Sequence, residues 1–293
     1  MKTLKKKVGK VEIYARSRTM SDLAELMSLG LSKNQEIESS IYVGAHEWRF
    51  SRIKKKRISI GVQTEQFYDS NNERLWGLYS EYLPLLYCSK YDYVLDLSLL
   101  NRPAYERFEL RNVIFGPYIF HNAGCLKIGK SPHFSFVGDV SPRRKKFLEE
   151  LNGKYHLING GYEEIKPELI ASEGLLNIHH KDGDYIEWPR FLLAYDCGKI
   201  VFSEALPGPL VKNLHYAPFG EYASVDSKMA IFEGFKKDVA TKYNLDRFFL
   251  AIDLTSARNR KPKILRSYAI LKSLAFIFFN RMKARLTSTR NVS

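Results

Sequence analysis

The stretch His133–Leu151, HFSFVGDVSPRRKKFLEEL, constrains this chain more than any other. Phe134, Phe136 and Val137 form a short β-prone run that stops at Gly138, where the missing Cβ lets the backbone come close to a ligand. Ser141 is placed to cap a helix, and Pro142 takes the first helical position, where its absent N–H costs nothing. Arg143 and Arg144 follow in the first turn. Positive charge at a helix N-terminus opposes the macrodipole, so two arginines there imply an anion between them and the free N–H groups, a phosphate above all. A solvated basic helix start is the plainer alternative. The stretch predicts strand, anion-binding turn and helix.

The rest of the chain supplies similar units. In the first half, VEIYA (11–15), SSIYVGAHEW (39–48), ISIGVQTEQF (58–67), YDYVLDLS (91–98) and NVIFGPYIF (112–120) read as strands, alternating with helix-compatible segments such as SDLAELMSLGL and a tyrosine-rich run around Trp76 to Tyr87. Strands alternating with helices argue for parallel sheets, whose ligands bind at the carboxyl ends of the strands. That rule singles out Gly44, His46 and Glu47 after one strand, and Gln63 and Glu65 at the end of another. Exposed polar loops are the alternative for His46 and Glu65.

HNAGCLKIGKSP, from His121 to Pro132, contains glycine and lacks any period, and so reads as an interdomain linker. Beyond the anchor stretch, LLNIHH looks like a strand that ends in a polar loop. DYIEWPRFLLAYDCGKIVFSE (184–204) reads as a helix stopped at Gly198 and followed by a strand that brings Ser203 and Glu204 to the carboxyl edge. Glu187 and Arg190, three apart, share a face of that helix start, either as an ion pair or as holders of a sugar hydroxyl and a phosphate. His179 and His180 are adjacent on an extended segment and point to opposite sides, so at most one faces a site and no metal is expected.

Composition narrows the setting. At 293 residues the chain has room for two α/β domains. The three cysteines, Cys88, Cys125 and Cys197, lie far apart without a C-x-x-C pair, which argues against zinc or a disulfide framework and makes each a small core residue. MKTLKKKVGK is followed by the half-polar VEIYA and not by an apolar signal core, so the protein is expected to stay where it is made, in the cytoplasm. The net charge of +14 is concentrated at the end: from Thr255 onward there are ten lysines and arginines and no acid. Residues Lys261 to Leu286 carry apolar positions at helical spacing with basic flanks, and the run SLAFIFF is far too short to cross a bilayer. This suits either an interfacial helix on the anionic inner face of the cell membrane or a helix packed back on the protein. The basic run RFSRIKKKR (49–57) keeps a nucleic-acid partner open, although the apolar tail is not what nucleic acid requires and such a partner is not expected.

The second half, from HFSFVGDVSPRRKKFLEEL through LLNIHH to RFLLAYDCGKIVFSE, resembles the donor-binding domain of glycosyltransferases with the two-domain GT-B fold. Its last segment is similar to the family pattern of a helix ending in A-x-x-C-G before a strand. The first half resembles compact bacterial transferases in which T-E-Q and V-x-D-x-S-x-x-N recur, matched here by Thr64-Glu65-Gln66 and VLDLSLLN (94–101). The resemblance implies an α/β chain of two Rossmann-like domains: 1–122 on the acceptor side, a linker at 123–132, a nucleotide-sugar donor domain at 133–254, and a basic amphipathic helical tail at 255–293. Gly138, Ser141, Arg143 and Arg144 would then meet the departing phosphate. Glu187, Arg190 and Glu204, with His179 and Ser203 beside them, would hold the sugar or ribose, and Glu65 or His46 would be the base of an inverting reaction. The resemblance implies a nucleotide-sugar as substrate, a glycan or lipid-linked acceptor, and no cofactor or metal. Many retaining members carry two glutamates at the positions of Tyr185 and Leu193, so the retaining mechanism is not implied. The competing reading is a catalytically silent α/β module that binds a membrane or a partner.

Overall fold

The computed structural model of the chain describes residues 3–33, 35–48, 57–71, 73–75, 85, 88–107 and 110–256, with 275, 278 and 279 beyond. The tyrosine-rich run, the basic run 49–57 and the amphipathic tail thus lie outside the described residues, single positions excepted.

The chain is mixed α/β with two largely parallel sheets, a Rossmann-like construction. The first has six strands in sequence order: β1 (Leu4–Val8), β2 (Val11–Ala15), β3 (Ser39–Val43), β4 (Ile58–Gln63), β5 (Tyr93–Asp96) and β6 (Val113–Phe115). All neighbours are parallel except β1, which pairs antiparallel with β2 from Leu4↔Ala15 to Val8↔Val11. The strands are shorter than their apolar runs. SSIYVGAHEW is strand only to Val43, after which Ala45–Trp48 winds into one 3-10 turn that carries His46 and Glu47. In NVIFGPYIF the strand stops at Phe115, two residues before Pro117, which has no N–H to give to a ladder.

One face of this sheet is aliphatic. Val11, Ile13, Ile41, Val43, Ile60 and Val62 are buried with Met20, Leu23, Ala24, Leu26 and Met27 of α1 (Arg18–Leu29), a helix capped by the Ser17 hydroxyl, which accepts from Met20 N at 3.2 Å. The other face is aromatic. Tyr14 and Tyr42 are paired in register and stacked at 5.2 Å, with Trp48 edge-on to Tyr42 at 5.1 Å. Next in the row, opposite Tyr42, comes Gly61, and the Tyr91 ring lies directly over it: a Cβ there would stand 2.4 Å from Tyr91 Cδ2.

The second sheet begins with β7 (Phe134–Val137) and adds β8 (Tyr155–Ile158), β9 (Leu175–Asn177), β10 (Val201–Ser203) and β11 (Ala217–Pro218), in the order β11-β10-β9-β7-β8. All its pairings are parallel. The order reverses at β7, because the chain moves to one side for β8 and to the other for β9. The crossings are α2's successors: after the short α2 (Arg102–Arg107) of the first half come α3 (Pro142–Glu150), α4 (Tyr162–Ala171) and α5 (Trp188–Asp196). Helix α5 ends as expected, with Gly198 at φ +70 where a Cβ would lie 2.2 Å from Cys125 O. Residues 123–132 carry no regular element and run along the second half, through Lys127 N to Gly198 O (2.8 Å) and Lys130 N to Ala171 O (3.0 Å). Cys125, in this segment, is exposed, contrary to its expected place in a core; Cys88 and Cys197 are buried.

Helix α6 (Val225–Phe235) and α7 (Leu245–Ser256) return the chain to the first half, where Leu245 N donates to Phe120 O at 3.0 Å and Phe120 N to Tyr243 O at 3.3 Å. A continuous apolar cluster joins Ile13 and Val62 to Phe136, Phe191 and Phe248. Of the described residues, none belongs to a helix long and apolar enough to cross a membrane. Gly61→Ala is expected to cost about 1–3 kcal/mol by forcing Tyr91 out of its row, read as a lower urea midpoint at an unchanged slope.

Candidate functional site

The reversal of strand order places a crevice beyond the carboxyl ends of β7 and β9, the usual ligand position in such sheets. Gly138 leaves β7 at φ +118 and turns the chain towards α3. Ser141 caps that helix as expected, its hydroxyl accepting from Arg144 N at 3.3 Å. Arg144 then reaches across the crevice: Nε donates to Ile178 O (2.9 Å), one terminal nitrogen to Asp139 O (3.0 Å) and the other to Glu187 Oε1 (2.7 Å). Arg190, from the first turn of α5, comes from the opposite side. It donates to Ile178 O (3.1 Å) and Asn177 Oδ1 (3.4 Å), and its Nε pairs with Glu187 Oε2 at 3.1 Å.

Glu187 therefore bridges two guanidiniums, each of which also stands over the Phe136 ring, at 5.6 Å for Arg144 and 5.1 Å for Arg190. Both border Gly138: a Cβ there would lie 3.1 Å from Arg190 NH2 and 3.9 Å from Arg144 NH1. Arg190 is so deeply placed that burial pulls its pKa below the ordinary guanidinium value, against the opposing pull of Glu187.

Arg143 occupies the outer rim. It forks onto both oxygens of Glu204, donates to His179 O at 3.0 Å and reaches Asp182 at 2.6 Å. Burial works against the Glu204 charge, but the hydrogen bonds from Arg143 and His179 N outweigh it and keep that carboxyl below its ordinary range. The conflict of two arginines at a helix N-terminus is thus met, in this structure, by carboxylates of the chain itself. His179 is buried and stacked on Tyr185 at 4.5 Å; burial lowers its pKa, and its Nε2 has no hydrogen-bond partner among the described residues.

The first half supplies the opposite wall. Burial raises the Glu65 carboxyl above its ordinary value, the His46 imidazole opposes that rise, and the carboxylates of Glu187 and Glu47 add to it. Glu65, after β4, and Glu187, at the start of α5, therefore feel one another's charge. His46 sits beside them with Nδ1 buried and without a partner among the described residues. Gln66 joins the walls: its amide donates to Tyr68 O (2.7 Å) and Asp184 O (3.2 Å), and its oxygen accepts from Ile186 N (3.4 Å).

Gly138, Ser141, Arg143, Arg144, His179, Glu187, Arg190 and Glu204 are thus gathered at one crevice, and Gln66 brings the segment that carries Glu65 up to Asp184 and Ile186 beside it. Ser203 is not at the opening; its hydroxyl accepts from Asn177 Nδ2 at 2.9 Å inside the sheet.

No family model matches the sequence, and no curated protein matches it. Among solved structures, the chain is similar to a mutant of S. aureus TarM in complex with fondaparinux, alpha-GlcNAc-glycerol and UDP, at 12% identity and a TM-score of 0.42. The match covers 90% of this chain and 59% of that one, so the chain spans less than two thirds of that protein's length.

Sequence reading missed three members of the site. Asn177 and Tyr185 present as ordinary core residues, and Asp182 as a loop acid; only the fold shows that Tyr185 OH accepts from the His180 and Lys181 backbone N–H groups and so shapes the loop beside Arg143. Glu187→Gln leaves Arg144 and Arg190 buried together without their shared carboxylate. A loss of about 3 kcal/mol is expected in urea unfolding at neutral pH, at the lower end for a broken buried pair because Glu187 keeps some contact with water.

Proposed function

We propose that this crevice binds the diphosphate of a nucleotide-sugar and that the chain is a glycosyltransferase. The observation that carries the reading is the convergence of Arg144 and Arg190 on Gly138 at the strand-order reversal, with the Glu65 segment tied through Gln66 to Asp184 and Ile186 beside Glu187. Guanidiniums fixed before a substrate arrives are suited to stabilise charge that develops on a leaving phosphate. A carboxyl raised towards neutrality is suited to take a proton.

In the proposed reaction an acceptor hydroxyl attacks the anomeric carbon, and its proton passes to Glu65 or, alternatively, to His46. The bond from the anomeric carbon to the phosphate oxygen breaks, and the nucleoside diphosphate leaves with the electron pair, held by Arg143, Arg144 and Arg190. His179, Glu187 and Glu204 border the sugar or ribose. Neutralising the diphosphate with arginines and the α3 N-terminus makes this a metal-independent transferase. Residues 1–122 would serve the acceptor and 133–254 the donor. A bacterial surface glycan or a lipid-linked glycan is the proposed acceptor class, which gives the basic amphipathic tail a reason to engage an anionic membrane.

One observation favours the silent-module reading instead: the arginines are already paired with Glu187, Glu204 and Asp182. A thermal-shift series with UDP-, GDP-, CMP- and dTDP-sugars decides between them. A sugar nucleotide at 100 times its Kd is expected to add about 2.7 kcal/mol of stability, lost in Arg144→Ala and reduced in the less buried Arg143→Ala. Absence of a shift with every nucleotide at millimolar concentration would remove the transferase reading in favour of the module.

A further inference from the structure

We propose that Asn101, oriented by Asp96, is a positioning residue that holds the backbone of Glu65 and so fixes the place of its carboxyl. This role rests on the reading of Glu65 as the base, and it explains why the segments Thr64-Glu65-Gln66 and VLDLSLLN belong together.

The geometry is a closed set of hydrogen bonds. The segment 64–67 leaves β4 and passes over the end of β5, where Asp96 and Asn101 are fully buried. Asn101 has two amide hydrogens and one carbonyl oxygen, and all are engaged. Nδ2 donates to Glu65 O at 2.8 Å and to both oxygens of Asp96 at 3.0 Å, while Oδ1 accepts from Phe67 N at 2.7 Å. Asp96 is itself fixed by Ser98 N at 2.8 Å. Ionised, Asp96 can only accept, and protonated it keeps a carbonyl oxygen that accepts, so in either state it turns the Asn101 amide nitrogen towards itself and Glu65 O; burial raises its own pKa to about 7.

The Glu65 carbonyl also accepts from Gln63 Nε2 at 3.2 Å, and Leu97 N donates to Gln63 O at 3.1 Å. On the far side Gln66 ties the segment to Asp184 O and Ile186 N, next to Glu187. Glu65 is thereby fixed on both flanks. The charged and titratable groups that face it are His46 and Glu47 from the turn after β3 and Glu187 from the start of α5. Holding the carboxyl in that partly desolvated place keeps it more readily protonated than a free glutamate. Releasing the segment would return it to water.

The test uses the full chain without ligand, labelled with ¹³C-glutamate, and follows the Glu65 carboxyl resonance against pH, assigned by its disappearance in Glu65→Gln. In the wild type the midpoint is expected above the ordinary ~4.3 for glutamate. In Asn101→Ala it is expected to fall towards that value by about one unit, and the isosteric Asp96→Asn provides the same reading if the alanine variant does not fold. A clamp that only supports the fold would lower stability and leave the midpoint in place, and that result overturns the proposal. The nucleotide thermal-shift series is read separately: a moved midpoint without any nucleotide shift supports the positioning and removes the transferase reading, whereas a nucleotide shift with an unmoved midpoint overturns the positioning alone.

Discussion

Two guanidiniums lie over one phenylalanine ring and are tied by one carboxylate, and the rest of the second half is arranged to make that possible. Arg144 belongs to α3, Arg190 to α5, Phe136 to β7, and the Ile178 carbonyl that accepts from both follows β9. Like charges buried together repel strongly in a low dielectric, so the arrangement survives only because Glu187 and the strand-end carbonyls occupy their donors. The consequence is geometric. Four elements are fixed relative to one another at the strand-order reversal, and the start of α5 is set there. That start carries Asp184 and Ile186, which Gln66 grips from the first half. The place of the Glu65–Gln66 segment beside the start of α5 thus descends from the ion cluster.

How much of this was legible in the residues depends on whether the cause is local. The strand, cap and helix of the anchor stretch were readable because each obeys a rule that spans a few residues, and the Gly198 helix stop is of the same kind. Strand β1 was not. LKKKV has no apolar alternation to announce it; it forms because it pairs with β2, and its lysines protect an exposed sheet edge, Lys5 and Lys6 reaching Glu12 and Glu25. Strand β8 and helix α4 likewise owe more to the sheet they complete than to their own pattern.

The site shows the same division. The expectation of a negative group at Arg143 and Arg144, against a solvated helix start, followed from the helix macrodipole. Its identity did not, because Glu187 and Glu204 lie 43 and 61 residues further along. A local rule states the need for a counter-charge and is silent on whether a ligand or a distant carboxylate fills it. The T-E-Q and V-x-D-x-S-x-x-N segments were visible as strings, yet the hydrogen bonds from Asn101 to Glu65 and Phe67 that unite them exist only once β4 and β5 lie side by side.

The influence of Glu187 on Glu65 gives the cluster a chemical logic beyond support. With Arg144 and Arg190 on Glu187, much of its charge is neutralised, and Glu65 feels only what remains. A diphosphate that draws either guanidinium towards itself would uncover the charge on Glu187. Glu65, already raised by burial, would then hold a proton more tightly than before. Negative charge bound at the arginines would thus raise Glu65 further, through Glu187. The carboxylates that occupy the arginines would in this way be part of the chemistry as well as of the fold.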